Sequence, residues 1–440
     1  MSSESEGVVV QKPSNNSSLT NSLTNSTNTN RQEILRKKFC KDYNLPISII
    51  TSPYFEYYLD LYDDYLGCRK QWNTMLQIVD KQFRSSEGLF SLVTNESVNR
   101  ILNIIENSDV YVNHFNSSKV KPEELWIENY KRYYPMAIES VDHLEKFFPN
   151  LTNVQQEVYT GNYDGFSFVS VDMTSANFNI MKFVDTQLTL NCKTYKELIR
   201  VGLKSKLEDP NNNYKTMHKL DTDALLQDVQ NDDSPFFKYI VEAKYLRQVL
   251  FGKLSPKRQQ VIQKCVMRSL IKLLIEKAEQ CDNPIIKKYL ITDRFSACTA
   301  DEIVVRVTDT KRDRSYEELS KQDQLLHTNI LMKFIRDTIN SEPYLQQITF
   351  RVEGFTLKQI KSPKLGDKAV GFVKEYITDA ILGEKSNSEH RGLLNVEFKG
   401  VTNYLFPQVF KNYFGKEIEE NDRKILLDGQ FIATLDDTIF

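Results

Sequence analysis

The sequence predicts an α+β protein in which a helical N-terminal part precedes a β-sheet interrupted by a basic helical insertion, with mixed structure after it. Three observations predict it. Apolar residues recur at three and four spacing through the first third, as on amphipathic helices. Two short segments, about 130 residues apart, are rich in β-branched residues and read as buried strands. Between them runs a lysine- and arginine-rich stretch with helical periodicity. A chain of 440 residues exceeds one ordinary domain of roughly 100 to 200, so several units are expected. The expected divisions are a tail over 1–31, a helical domain over 32–150, a sheet domain over 151–310 with its insertion at 243–279, and a mixed α/β domain over 311–440.

Residues 1–31 are dominated by Ser, Asn and Thr, which cannot bury enough apolar area to offset ordering, so a disordered tail is expected. From Arg31 onward the helical period sets in: Tyr54, Tyr58, Leu61 and Tyr65, then Trp72, Leu76 and Phe83. These tyrosine-rich helices are a candidate protein-binding face, with use in the core as the alternative. Tyr62-Asp63-Asp64 spells a reverse-transcriptase-like triplet but sits mid-helix, on what reads as a solvated face. The period then changes. Phe166 to Asp172 and Glu302 to Val307 read as strands, while the polar stretch from Glu208 to Asp233 reads as a loop. Tyr316 to about Ile339 is an amphipathic helix, and Ile348 to Ile360 reads as a hairpin turning near Gly354.

Composition excludes several classes. Hydrophobic residues at 40% and charged residues at 26% are ordinary for a folded chain. Only 15 glycines argue against glycine-rich phosphate loops, and Gly415-Lys416 lacks the upstream glycine of a P-loop. Six cysteines without paired spacing point to a reducing compartment. Histidines at 114, 143, 218, 327 and 390 are scattered, so no zinc finger or HExxH site can be written. The first residues show neither a basic n-region nor a long apolar stretch, and no apolar run elsewhere approaches the ~18 residues that span a bilayer; the expected location is intracellular, in cytoplasm or nucleus, not secreted and not in a membrane.

A net charge of −2 advertises no polyanionic partner, so local charge matters. Residues 243–275 hold eight Lys or Arg and no acid. Ser255-Pro256 is a good helix start. After it, Lys257, Lys264, Arg268 and Lys272 share a face, and Lys257 with Arg258 occupy the first turn, where the helix dipole disfavours cations unless an anion binds. Phosphate or nucleic-acid contact is one reading; neutralisation by acids elsewhere in the chain is the other. Asp172 and Asp301-Glu302 each lie at a strand edge. Two carboxylates at ~4 Å repel by about 4 kcal/mol at an effective dielectric near 20, so a cluster needs a shared cation or proton. Magnesium suits a site of one or two carboxylates plus substrate phosphates. For either acid alone, a cap or a solvated strand end is the alternative. Asp221, Asp223, Asp232 and Asp233 lie in the polar stretch without EF-hand spacing, and Cys298 has no supporting nucleophile motif.

The order VSVDMTSANF, then Arg247 four residues before Phe251-Gly252 on a basic helix, then TADEIVVRV resembles motifs A, B and C of palm-domain polymerases. The nearest likeness is to family A DNA polymerases, with Ala300 where that family carries His; translesion polymerases and the guanylyltransferase of histidine tRNA share similar features. The resemblance covers about 140 residues. It implies a palm-like sheet and metal-dependent nucleotidyl transfer on a nucleic acid from a nucleoside triphosphate. Asp172 and Asp301 would hold two Mg2+ ions, Glu302 would be an accessory acid, and Lys244 and Arg247 would hold the triphosphate. Thr174 and Ser175 are plausible contacts to sugar or phosphate, with a local backbone cap as the alternative. Lys257, Arg258, Lys264, Arg268 and Lys272 would track the nucleic-acid backbone. Five such contacts give a log affinity against log salt slope of roughly −3.5 to −4.5. A non-catalytic nucleic-acid-binding or assembly protein with a degenerate palm is the alternative.

Overall fold

The computed structural model describes residues 32–46, 54–84, 87–151, 154, 158–211, 214–310, 318–361, 369–377, 396–401, 405–417, 424–427 and 430–434. The expected disordered tail lies outside them. The chain is mixed α+β, as the periodicities require. Its first part is helical: α1 (residues 32–42), α2 (Tyr54–Leu66), α3 (Cys68–Gln82), α4 (Glu87–Glu106), α5 (Pro122–Lys131) and α6 (Leu144–Phe147). Gly67 joins α2 to α3 at φ 61°, a left-handed conformation that glycine adopts without strain. Asp63 of the Tyr-Asp-Asp triplet accepts from the Arg69 amide at 2.6 Å and so caps the start of α3. Tyr58 and Tyr62 are buried and Tyr65 packs on Phe398 and Phe406, so these tyrosines serve the core.

Strand β1 (Ser167–Met173) follows, then α7 (Ala176–Val184), α8 (Tyr195–Leu207), α9 (Tyr214–Met217), α10 (Thr222–Gln230), α11 (Pro235–Glu242), α12 (Lys244–Lys253), α13 (Pro256–Gln280) and α14 (Pro284–Tyr289). The stretch expected as a loop over 208–233 therefore contains α10. Its acids are structural: Asp221 accepts from the Ala224 amide as the N-cap, Asp223 pairs with Lys215, Asp232 with Lys196 and Arg200, and Asp233 with Lys238. The basic insertion is two helices, α12 and α13, broken at Ser255.

Strands β2 (Phe295–Cys298) and β3 (Glu302–Arg306), helix α15 (Lys321–Ser341), strands β4 (Phe350–Lys361), β5 (Ala369–Ile377) and β6 (Val396–Lys399), helix α16 (Phe406–Tyr413) and strands β7 (Lys424–Leu427) and β8 (Gln430–Thr434) complete the described chain. Six strands form one antiparallel sheet in the order β2-β3-β1-β4-β5-β6, and β7 pairs with β8 separately. The division expected at 310 thus cuts through one sheet, because β4 lies directly against β1. The hairpin expected at Gly354 is absent, since β4 runs straight through that residue. Gly354 is needed for a close approach: a Cβ there would lie 2.6 Å from Thr328 and 3.2 Å from Met332 of α15.

Alternation along β1 sorts the core into two. Val169, Val171 and Met173 join Ile303, Val305 and Val352 on the face covered by helices, in a hydrophobic cluster that continues without a break to α1. Phe168 points the other way, into a smaller cluster with Val158, Ala297, Val304, Phe355, Leu357 and Phe372. The helical part is tied to the sheet region by a buried relay. Trp126 Nε1 donates to Tyr344 Oη at 2.6 Å, Tyr344 lies 3.0 Å from Ser269 Oγ, and Ser269 donates to the Val266 carbonyl at 2.7 Å. Among the described residues no helix is long and apolar enough to cross a membrane, and the six cysteines are free.

Candidate active site at the ends of three strands

The registers of the sheet bring the predicted acids together. Asp172 stands directly opposite Glu302 on β3 and opposite Arg351 on β4. The Val307 amide donates to the Ser167 carbonyl at 2.9 Å and the Met173 amide to the Asp301 carbonyl at 2.8 Å. Those bonds flank odd-numbered β1 positions, so Asp172 and Glu302 form a non-hydrogen-bonded pair, whose Cα atoms approach to ~4.5 Å and whose side chains share a face. Asp301 lies in the turn over residues 299–301 between β2 and β3. That turn is closed by Thr299, whose amide donates to the Glu302 carbonyl at 2.8 Å and whose hydroxyl accepts from the Glu302 amide at 2.9 Å and donates to Asp301 Oδ1 at 3.3 Å.

Like charges directly opposite on a sheet destabilise it, and the electrostatics here record that conflict. Burial raises the Asp172 carboxyl above the ordinary carboxylate range, Glu302 and Asp301 push the same way, and Arg351 and Lys374 oppose them. Arg351 Nη2 lies 3.2 Å from Asp172 Oδ2, and its Nε 3.4 Å from Glu353. Lys374, only 4% exposed, reaches Glu302 at 3.5 Å with its ammonium 4.4 Å over the Phe355 ring. Neither cation was legible in the sequence. Arg351 falls in an arm of the expected hairpin, and Lys374 belongs to a strand that no motif marks.

The basic helix approaches the β2–β3 hairpin from the helix-covered side, to which Cys298 belongs, and not from the face that carries Asp172 and Glu302. Burial pushes the Cys298 thiol up, while Arg268 and Lys264 pull it down, so both cations are felt three residues before Asp301. Gln263 of α13 donates to Asn177 of α7 at 2.8 Å, which holds α13 against the helix that follows Asp172. Lys257 and Lys264 are exposed; Arg268 lies 4.6 Å over Phe148, and Lys272 lies 5.1 Å over Phe147 and pairs with Glu276. Arg258 departs from expectation. Its guanidinium donates to the carbonyls of Phe115 and Val120, both at 2.6 Å, closing the C-terminal end of the π-helical turn Val110–Phe115. Those carbonyls give the cation a partner within the chain in the first turn of α13. Ser255 starts α13 in the left-handed region at φ 52°, with its hydroxyl turned to Tyr111 and Asn116.

Thr174 is exposed beside Asp172, and Ser175 opens α7 at φ 47° without a side-chain cap bond. Phe178 is buried against Phe251 as a core aromatic. Arg247 extends to the Tyr195 ring at 5.8 Å, and Lys244 is exposed at the start of α12. Around the hairpin a cavity of about 320 Å³ is lined by Val158, Tyr159, Thr299, Asp301, Glu302 and Lys399, with Ala297, Val304 and Gly400 completing it. Among the described residues no group of three or more His, Cys, Asp and Glu is disposed to hold a metal. Two hard carboxylates on adjacent strands still match the donor set of a magnesium ion that completes its shell with water and substrate oxygens.

No family model, curated protein or solved structure matches this chain.

Proposed function

We propose that this chain carries out metal-dependent nucleotidyl transfer on a nucleic acid, with its six-stranded sheet acting as a palm. The observation that carries the reading is the register that sets Asp172 against Glu302 with Asp301 in the adjoining turn. Asp172 and Asp301 would hold magnesium, and a cation would favour the ionised form of Asp172 that burial, helped by Glu302 and Asp301, disfavours. Bound there, magnesium supplies Lewis acidity for an attacking 3′ hydroxyl and for the leaving pyrophosphate. The chain's own residues do the rest. Glu302 holds the second strand's charge toward Asp172, and Lys264 and Arg268 would draw a polyanion to the helix-covered side of the same hairpin. The test is nucleotide incorporation with Mg2+ on single-stranded and primed templates. Asp172→Asn and Asp301→Asn should each lower turnover by at least about 10²-fold, the scale of losing a preorganised charge, with the fold intact by circular dichroism. Turnover unchanged in both variants rejects the reading.

The Arg351 and Lys374 contacts favour a second reading, a nucleic-acid-binding or assembly protein with a degenerate palm, because they already neutralise two of the three acids. With Arg258 engaged internally and Lys272 paired with Glu276, three cations remain on the α13 stripe, and a slope of log affinity on log salt of about −2.1 to −2.7 is expected in either case. Binding with that slope and no incorporation selects the second reading.

A further inference from the structure

We infer that the cavity beside the β2–β3 hairpin is the seat of a magnesium-bound nucleoside triphosphate, with Tyr159 and Lys399 as its recognition residues. This deepens the reaction proposed above and rests on it for the direction of the triphosphate. The sequence resemblance assigned that task to Lys244 and Arg247 on α12, and Arg247 extends instead to Tyr195. The cavity's volume, about 320 Å³, lies within the ~300 to 1,000 Å³ of small-molecule sites.

The lining selects the ligand by exclusion. The lining combines two acids, Asp301 and the Lys374-paired Glu302, with Tyr159 and Lys399, whose ammonium lies 5.9 Å from the Tyr159 ring and is held by Glu397 at 2.7 Å. Val158 and Val304 add apolar surface to the lining. A free anion would meet two carboxylates. A bare metal ion would leave the ring and the apolar side chains unused, and an organic cation would meet Lys399. A nucleotide carrying magnesium on its phosphates uses every part of this lining: metal for the acids, phosphate for Lys399, and base for Tyr159 and the apolar side chains. Stacking on an aromatic ring is tolerant of base identity, so the site should take several nucleotides.

The test uses the full chain and the magnesium complexes of mant-labelled ATP, GTP, CTP and UTP and their deoxy counterparts, read by fluorescence anisotropy. Tyr159→Ala and Lys399→Gln should each weaken binding by about tenfold, and Tyr159→Phe, which keeps the ring, should restore it. In the incorporation assay the first two variants should raise KM with kcat held, whereas Asp172→Asn lowers kcat. Unaltered binding in both variants, or absence of binding by the unmodified chain, overturns the inference. A chain that incorporates nucleotide but ignores both substitutions rejects the cavity and keeps the reaction. A chain that binds through Tyr159 and Lys399 but never incorporates keeps the cavity and rejects the reaction.

Discussion

Arg258→Ala separates two roles that a basic residue at a helix start can have. In the structure the guanidinium makes two hydrogen bonds of 2.6 Å to the carbonyls of Phe115 and Val120 from a half-buried position. Hydrogen bonds to a charged group contribute ~1.5 to 3 kcal/mol each, and water reaching the partly exposed site replaces some of that, so the expected loss is about 2 to 4 kcal/mol. Equilibrium urea unfolding, monitored by far-ultraviolet circular dichroism, measures it. Lys264→Ala is the control, because that side chain is exposed and surface changes stay within about 0.5 kcal/mol. Nucleic-acid binding should show the reverse pattern. Loss of Lys264 should flatten the slope of log affinity on log salt by about 0.7 to 0.9, while loss of Arg258 should leave it unchanged. A stable Arg258→Ala protein with a flattened slope would refute the internal role.

Gly202→Ala should destabilise by about 1 to 3 kcal/mol in the same unfolding experiment, because the added Cβ would lie 2.6 Å from the Ile101 side chain and 2.8 Å from the Ser97 carbonyl where α8 crosses α4. Tyr344→Phe removes the acceptor of the buried Trp126 N–H and the donor to Ser269, and a loss of about 1 to 3 kcal/mol, read as a lowered melting temperature, is expected. For Asp172 the sign follows from its raised carboxyl. The stability that the protonated form enjoys is complete below the ordinary value of 3.8 and is lost as pH rises through the higher folded-state value. Asp172→Asn, which never ionises, should therefore gain on the unmodified protein between about pH 4 and neutrality, as followed by thermal melts across that range. A gap that is flat with pH would contradict the burial argument.

Local patterns made some of this architecture readable and tertiary packing hid the rest. The strand ending at Asp172 and the one beginning at Glu302 announce themselves by β-branched residues, and Ser255-Pro256 marks the start of α13, because those signals depend only on neighbours in the chain. Gly354 shows the limit. A glycine inside an extended run signals either a turn or a close approach, and only the position of Thr328 and Met332 on α15 decides which. Arg258 looked like a phosphate ligand for a similar reason: the carbonyls it serves lie more than a hundred residues earlier. At the candidate site, the strand ends make Asp172, Asp301 and Glu302 legible in the sequence, and the register sets Asp172 against Glu302 with Asp301 in the adjoining turn. Arg351 and Lys374 reach the acids only through pairing across β4 and β5, which no local pattern encodes.

The strict alternation along β1 has an evolutionary corollary. Met173 and Val171 are wedged among helices while Asp172, between them, looks out over the opposite surface. Inserting or deleting a single residue upstream in this strand would send the carboxylate into the oily side and expose a methionine or valine, so such a length change would wreck stability and chemistry in one stroke. Lineages descended from this chain should accordingly tolerate point substitutions here far better than indels.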